Sequence, residues 1–266
     1  MKSTSSIAKL LNQLSLSKTD LAWGEDYKGI EPDWSILCQL LGKAHGTALD
    51  TMDPDRETHA LHAYYLANPA SSLNKIRYEI DEKRNGRAFN TRISKVVRDH
   101  ESILTMFTSF HKQEIGPEHE ILLTDISPPK EIPIRKKIPS PRNHKAKPNE
   151  RNSTSGPSII IRSSEKSDRS ERDKIWTKWE EDLPKDRQVH QCLFSFLAGY
   201  YLFDWGFSST PPNIVRASIS VWFHQPCKVN EWLLWITDGN DKDGLQRTAI
   251  YLENGHLVAS VAKQVS

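Results

Sequence analysis

The stretch QVHQCLFSFLAGYYLF, residues 188–203, decides the fold of the second half of this chain. It contains no proline and no charged side chain, and its length and apolar character predict a buried helix. Two strand-like runs precede it, at residues 158–162 and 174–179. Four more follow it, at residues 215–224, 230–237, 245–252 and 257–265. A helix followed by an antiparallel meander predicts an α+β unit in which the helix packs on its own curled sheet.

Local patterns support the strands. Polar and apolar residues alternate from Ser218 to Trp222, which is typical of a strand with one buried face. The turn Glu253-Asn254-Gly255 separates two such runs and predicts a hairpin, because Asn and Gly tolerate positive φ.

The first half of the chain repeats this order. An apolar, helix-compatible stretch runs from Trp34 to Ala48. Strand-like runs follow at residues 58–66, 75–83, 88–98 and 103–112, with Arg84-Asn85-Gly86 as turn punctuation. The chain is therefore predicted to contain two α+β units of the same kind.

Between the two halves, residues 128–157 concentrate proline and positive charge. This stretch holds seven of the fifteen prolines, eight Lys or Arg, two Glu and no aromatic residue. Proline lacks the amide proton that a helix or central strand needs, and the basic side chains repel one another. We expect an extended linker here, with a first domain at residues 1–127 and a second at residues 158–266.

Composition excludes several classes of protein. The chain has 266 residues with 36 basic and 34 acidic side chains, and no run of about 18 apolar residues. We therefore expect neither a membrane span nor a secretory signal, and a cytoplasmic location. The three cysteines, Cys38, Cys192 and Cys227, form no CxxC pair and predict neither disulfides nor a metal site. No cofactor is expected.

Several motifs resemble one known family, the type II acyl-CoA thioesterases. The first half matches at Leu61-His62-Ala63-Tyr64-Tyr65-Leu66, at residues 84–89 and at residues 106–110. The second half matches more strongly, at Val189-His190-Gln191, residues 222–226, residues 230–234 and residues 255–260. The resemblance implies a double hotdog fold, in which each half wraps a long helix with a sheet and the two sheets join edge to edge. It also implies hydrolysis of acyl-CoA to fatty acid and CoA.

The resemblance places the family's catalytic side chains by counting from these motifs. The helix Asp falls on Gly199, the strand Thr on Arg216, the later Gln on Lys263, and a further strand Asp on Ser218. In the first half, the family's Gly-Gly-Gln at the helix start aligns with Leu37-Cys38-Gln39. The side chains that would hold and activate water are thus replaced.

Other polar groups are candidates to act in their place. His62 is a potential general base that we expect to face the start of the first helix, and Ser218 could supply a hydroxyl. Asp204 lies five residues beyond Gly199 and points about 140° away from it on a helix. We expect Gln39, His62, Arg216 and Lys263 to contact substrate. The last two are cations that would favour a carboxylate or a phosphate.

Three functions therefore remain open. The first is a thioesterase-family enzyme that acts on acyl-CoA or on the thioester of an acyl carrier protein in fatty acid metabolism. The second is a binding or regulatory protein without hydrolysis, pairing with an active homologue or with itself through sheet edges. The third is a repurposed hotdog enzyme of a biosynthetic pathway. The basic linker has no aromatic residues for base stacking, which argues against a nucleic-acid partner.

Overall fold

The first half forms one helix and four strands. The computed structural model describes residues 34–67, 76–98, 100–112, 123–124, 127–139, 158–163, 173–180, 182–204, 217–238 and 244–264. The helix and all four strands of the first half are confirmed close to their predicted limits, as α1 (Trp34–Leu49), β1 (Arg56–Tyr65), β2 (Ile76–Asn85), β3 (Phe89–Arg98) and β4 (Glu101–Lys112).

The second half repeats the arrangement with two strands in front of its helix. Asp186 caps that helix, since its Oδ1 accepts a 2.9 Å hydrogen bond from the backbone N–H of Gln188. The elements are β6 (Ser158–Ser163), β7 (Asp173–Trp179), α2 (Arg187–Asp204), β8 (Ser218–Phe223), β9 (Leu233–Asp238), β10 (Leu245–Leu252) and β11 (Leu257–Gln264). Neither described helix has the length and apolarity needed to cross a membrane.

The prediction of an extended linker is wrong for residues 129–131 and 134–139. Residues Pro129–Glu131 form a turn of 3-10 helix, and Ile134–Pro139 form a further strand, β5, paired with β6. The basic and proline-rich composition is compatible with this strand because β5 is the edge of the sheet, where lysine is common and a missing amide proton matters least. Residues 140–157 lie outside the described part of the chain.

In the described part of the chain, the strands form one antiparallel sheet of eleven, in the order β2-β3-β4-β1-β8-β11-β10-β9-β7-β6-β5. The two halves join where β1 pairs with β8, with His62 opposite Ser220. The sheet wraps the helices as expected from a double hotdog fold. Its inner face is marked by Leu61 and by Tyr65, whose hydroxyl donates to the Leu37 carbonyl of α1 at 3.0 Å.

The helices α1 and α2 run antiparallel in close contact at the centre of the molecule. A Cβ placed on Gly42 would lie 3.2 Å from the Cβ of Phe196, and Cys192 donates its thiol hydrogen to the Gly42 carbonyl at 3.2 Å. Side chains from both helices form one core with the inner face of the sheet. This contact joins the two halves through their helices, as β1 and β8 join them through the sheet.

A buried histidine adds hydrogen bonds to the helix contact. His45 Nδ1 lies 2.7 Å from the Ser195 hydroxyl oxygen, and Nε2 lies 2.7 Å from that of Thr58 on β1. Ser195 donates its own hydrogen to the Gln191 carbonyl, so its oxygen accepts from Nδ1–H and Thr58 donates to Nε2. Burial lowers the pKa of His45 to about 3, against a smaller opposing effect of a hydrogen bond to the Gln191 backbone. The imidazole is therefore neutral at pH 7.

A second, smaller apolar cluster lies on the outer face of the second half. It consists of Trp176, Leu234 and Ile236, with Leu123 and Ile132 packed against it from the segment that precedes β5. We call residues 123–124 and 127–133 the strap. Two hydrogen bonds hold the strap: Leu123 N–H donates to Gly255 O at 3.1 Å, and the Arg162 guanidinium donates to the Ile132 carbonyl at 2.6 Å.

We expect Gly255→Ala to destabilise the fold by about 1–3 kcal/mol. Gly255 has φ +88, and a Cβ there would lie 2.5 Å from the Leu123 carbonyl oxygen, so the change strains the hairpin and pushes the strap away. Urea unfolding measures the effect. The exposed neighbour Glu253→Ala is the matched control and should change the unfolding free energy by less than ~0.5 kcal/mol. Equal effects of the two changes would contradict this account of the turn.

The free energy of unfolding should depend on pH because His45 is buried as a neutral imidazole. Its folded pKa is about 3, below the usual value of about 6.5 in an unfolded chain. Its contribution to stability is therefore complete above pH 6.5 and is lost as the pH falls from there towards 3. Between pH 7 and pH 5 the wild type should lose about 2 kcal/mol more unfolding free energy than His45→Gln. Parallel curves for the two proteins would show that His45 is not buried as a neutral imidazole.

Candidate functional site

Gly199, where the family's catalytic Asp was expected, lies at the contact between the helices. A Cβ at this position would lie 3.1 Å from the Cys38 Cα, 3.4 Å from the Leu41 Cδ2 and 3.5 Å from the Cys38 Cβ. The first distance is shorter than nine in ten real Cβ contacts and involves backbone, which cannot rotate away. The helices are therefore so close at Gly199 that any residue larger than glycine would push them apart.

The three residues expected at the start of α1 are all enclosed. Leu37, Cys38 and Gln39 are 2%, 0% and 3% exposed. The Leu37 carbonyl accepts the Tyr65 hydroxyl, and Cys38 occupies the space directly opposite Gly199. Side chains thus fill the region where the family's glycines would let a thioester carbonyl approach backbone amides.

Lys263 lies on the inner face of β11 with only 4% of its surface exposed. It is opposite Ile219 of β8 and Gln246 of β10. Along β10 the same face also carries Thr248, whose hydroxyl lies 3.0 Å from that of Thr237 on β9. This part of the inner face therefore carries an amine, an amide and two hydroxyls that are hydrogen-bonded to each other.

The sequence identified only Lys263 of this inner-face group. Gln246, Thr248 and Thr237 were missed, although each is less than 9% exposed. The alternation along β10 was a usable signal, because Gln246, Thr248 and Ile250 share one face of a strand. Arg216 lies outside the described residues, and so does the side chain of Asp204, which ends α2.

His62 faces away from the helices, so the expected orientation is wrong. Leu61, Ala63 and Tyr65 occupy the inner face of β1, and the period of two along a strand turns His62 outwards. There its Nδ1 lies 2.9 Å from the Ser220 hydroxyl oxygen, and its ring meets Trp222 edge-on at 5.4 Å. Partial burial, and secondarily the charge of His59, lower the pKa of His62.

Ser218 also lies on the outer face of the sheet, away from the helices. Ile219 and Val221 are its inward neighbours on β8, at 1% and 0% exposure. Ser218 and His62 therefore share the outer face, while Gln39 and Lys263 lie beneath the sheet. The structure does not bring the four candidates together into one constellation, because the backbone layer of the sheet separates the two pairs.

The remaining histidines and cysteines of the matched motifs have local structural contacts. His190 Nδ1 accepts from the Val229 N–H at 3.3 Å, and His224 Nε2 lies 2.8 Å from the Ser260 hydroxyl oxygen. Burial raises the pKa of the Cys192 and Cys227 thiols to about 12. Within the described ranges, no three His, Cys, Asp or Glu side chains are grouped so that they could bind a metal ion.

The chain is similar in sequence to known thioesterases. The acyl-CoA thioesterase family model matches residues 148–265. The chain is 24% identical to acyl-CoA thioesterase 2 of Haemophilus influenzae over 250 residues, covering 85% of each protein. It is 21% identical to human acyl-coenzyme A thioesterase 8 over 251 residues, covering 85% of this chain and 78% of the human protein.

Solved structures show the same fold. An acyl-CoA thioesterase II, TesB2, from Mycobacterium marinum is similar with a TM-score of 0.67 and 20% identity, covering 90% of this chain and 91% of that one. The tesB protein of Mycobacterium avium subsp. paratuberculosis has a TM-score of 0.66 and 16% identity, covering 98% and 100%. The resemblance of the chain to the type II acyl-CoA thioesterases is thus confirmed, and its fold is the double hotdog.

Proposed function

We propose that this protein binds acyl-CoA or acyl-carrier thioesters and does not hydrolyse them. The observation that carries the proposal is the contact between Gly199 and Cys38. Hydrolysis in the family, as the resemblance implies it, needs a carboxylate at the first position to activate water. In this chain Gly199 occupies that position and has no side chain, and Cys38 fills the space next to it.

The side chains next to Gly199 provide no general base that could replace the family's Asp. Cys38 and Leu41 are its nearest neighbours, and both are completely buried. A general base must reach its water at about 2.6–3.2 Å. His62 and Ser218 are on the other face of the sheet, so neither reaches a water held between the helices and the inner face.

Lys263 supports the binding part of the proposal. A cation on the inner face of β11 attracts an anionic group, and the phosphates of CoA or of a carrier-protein arm are such groups. The class of ligand also follows from the relatives, which are named acyl-CoA thioesterases. The cytoplasm and fatty acid metabolism are the setting in which this activity would be used.

One observation favours a second candidate, a repurposed enzyme. Lys263 is enclosed rather than solvated, and burial strengthens an amine's interaction with a bound anion. Together with Arg216, which the sequence places at another former catalytic position, it would orient an anionic substrate for a reaction other than hydrolysis. A product that is neither free CoA nor free fatty acid would identify this case.

Direct binding and turnover measurements test the proposal. We expect octanoyl-CoA and palmitoyl-CoA to bind in calorimetry without release of CoA, quantified by chromatography. Lys263→Gln should weaken binding about tenfold through loss of one charge-assisted hydrogen bond. Lys95→Gln, an exposed lysine of β3, is the matched control and should bind as the wild type does. Release of CoA that disappears in His62→Ala or Ser218→Ala would contradict the proposal and support hydrolysis.

The helix contact can be tested independently of any ligand. Gly199→Asp should destabilise the protein by about 2–4 kcal/mol, because it forces a charged side chain against Cys38. Adding Cys38→Gly should recover at least ~1 kcal/mol relative to the sum of the single changes, since it removes the opposing side chain. Unfolding free energies from urea titration of all four proteins measure the coupling. Simple additivity would show that the two positions do not oppose each other.

A further inference from the structure

The contact between α1 and α2 is too close to hold a hydrocarbon chain. A Cβ on Gly199 would lie 3.1 Å from the Cys38 Cα, and one on Gly42 would lie 3.2 Å from a Cβ of α2. Further along α1, His45 Nδ1 lies 2.7 Å from the Ser195 hydroxyl oxygen. A methylene chain needs about 3.5–4.0 Å to the atoms on each side, so the surfaces that enclose it are about 7–8 Å apart. The two helices are closer than this from Cys38 to His45, which is about 10 Å of α1.

Hydrogen bonds close the layer between α1 and the strands of the first half. The Tyr65 hydroxyl of β1 donates to the Leu37 carbonyl at 3.0 Å, and the Ser94 hydroxyl of β3 donates to the Ala44 carbonyl at 3.1 Å. Each bond joins a side chain of the sheet directly to the backbone of the helix, and a hydrogen bond holds its two groups at contact distance. An acyl chain would have to break these bonds to lie between α1 and the sheet.

Aromatic rings fill the corresponding layer of the second half. Phe194 of α2 stacks on Trp235 of β9 with ring centroids 5.3 Å apart, and it meets Phe223 of β8 edge-on at 5.4 Å. Phe196 meets Trp179 of β7 edge-on at 5.9 Å. Rings whose centroids are 4.5–7 Å apart are in direct contact. The space between α2 and these three strands is therefore occupied by side chains of the protein itself.

Leu37 and Cys38 separate the start of α1 from this filled interior. The resemblance places the thioester carbonyl of a ligand beside residues 37–39. Leu37 and Cys38 are 2% and 0% exposed, so both side chains are enclosed by the surrounding structure. An acyl chain that extended inwards from the thioester would meet these two side chains first, and behind Cys38 it would meet Gly199.

The anionic part of a ligand has different partners from the acyl chain. Lys263 and Gln246 are opposite each other on β11 and β10 and are 4% and 8% exposed. An amine attracts a phosphate through charge and hydrogen bonding. This attraction is the same for every acyl-CoA, because the phosphates belong to CoA and not to the acyl group.

We infer that this protein recognises the CoA part of an acyl thioester and excludes the acyl chain from its core, so that affinity does not depend on chain length. Leu37 and Cys38 are the specificity-determining residues, because they occupy the place where the chain would enter. The inference rests on the proposed function and narrows its ligand from the whole acyl thioester to the phosphate-bearing part that all acyl-CoAs share.

Calorimetric titration of the full chain with CoA, acetyl-CoA and octanoyl-CoA tests the inference. We expect the three dissociation constants to agree within about threefold. A chain buried in the core would tighten binding about fourfold for each methylene, and octanoyl has six methylenes more than acetyl. Octanoyl-CoA that binds more than ~10-fold tighter than acetyl-CoA overturns the inference and leaves the proposed function standing. Failure of all three compounds to bind overturns the proposed function, and the inference with it.

Substitution at the start of α1 tests the two residues themselves. Leu37→Gly combined with Cys38→Gly opens the entrance and should make octanoyl-CoA bind at least ~10-fold tighter than acetyl-CoA. Cys38→Gly alone is the second variant if the double change does not fold, as judged from its melting curve. Cys227→Gly, the same change at a partly exposed cysteine outside both helices, is the matched control and should keep equal affinities. Equal affinities in the folded α1 variants, or a chain-length preference that Cys227→Gly shares, would overturn the assignment to Leu37 and Cys38.

Discussion

The close contact between α1 and α2 is the constraint on which the rest of the structure depends. At Gly42 and Gly199 the helices approach so nearly that a single added carbon would meet backbone or Cβ atoms of the other helix. This approach lets one curved sheet cover both helices, and it positions His45 between Ser195 and Thr58. Gly199, the position where the resemblance leads us to expect the family's helix Asp, lies inside the same contact. The proposal that hydrolysis is lost therefore rests on the packing of the two helices.

The sheet separates two kinds of surface. Its inner face packs on the helices and carries the buried polar group around Lys263, whereas its outer face carries the strap on the second half. The pairing of β1 with β8 makes this division continuous across the two halves. Because side chains alternate between faces at every step along a strand, a shift of one residue decides whether a group belongs to the ligand side or to the outer surface.

Much of the fold could be predicted from local patterns. The helices and the strands outside residues 128–157 are found close to their expected limits, since alternation, helical apolar stretches and the Asn-Gly turn are short-range signals. The strand β5 could not be predicted in this way, because its proline and lysine are acceptable only at a sheet edge. The candidate site was less predictable. His62 was assigned to the wrong face, and Gln246 and Thr248 gained significance only from their register with Lys263.

The sequence by itself determined the two repeated α+β units and the resemblance to acyl-CoA thioesterases, and through that resemblance it led us to expect Gly199 and Lys263 at two of the family's catalytic positions. These follow from residue type and spacing along the chain, which local physics translates directly into helices, strands and motifs. Only the tertiary structure decided that Cys38 fills the space opposite Gly199, that His62 and Ser218 lie on the other face of the sheet from Lys263, and that Leu123 and Ile132 pack on the outer apolar side chains of the second half. Each of these depends on helix approach, strand register or chain crossing, and those are relations between residues far apart in sequence.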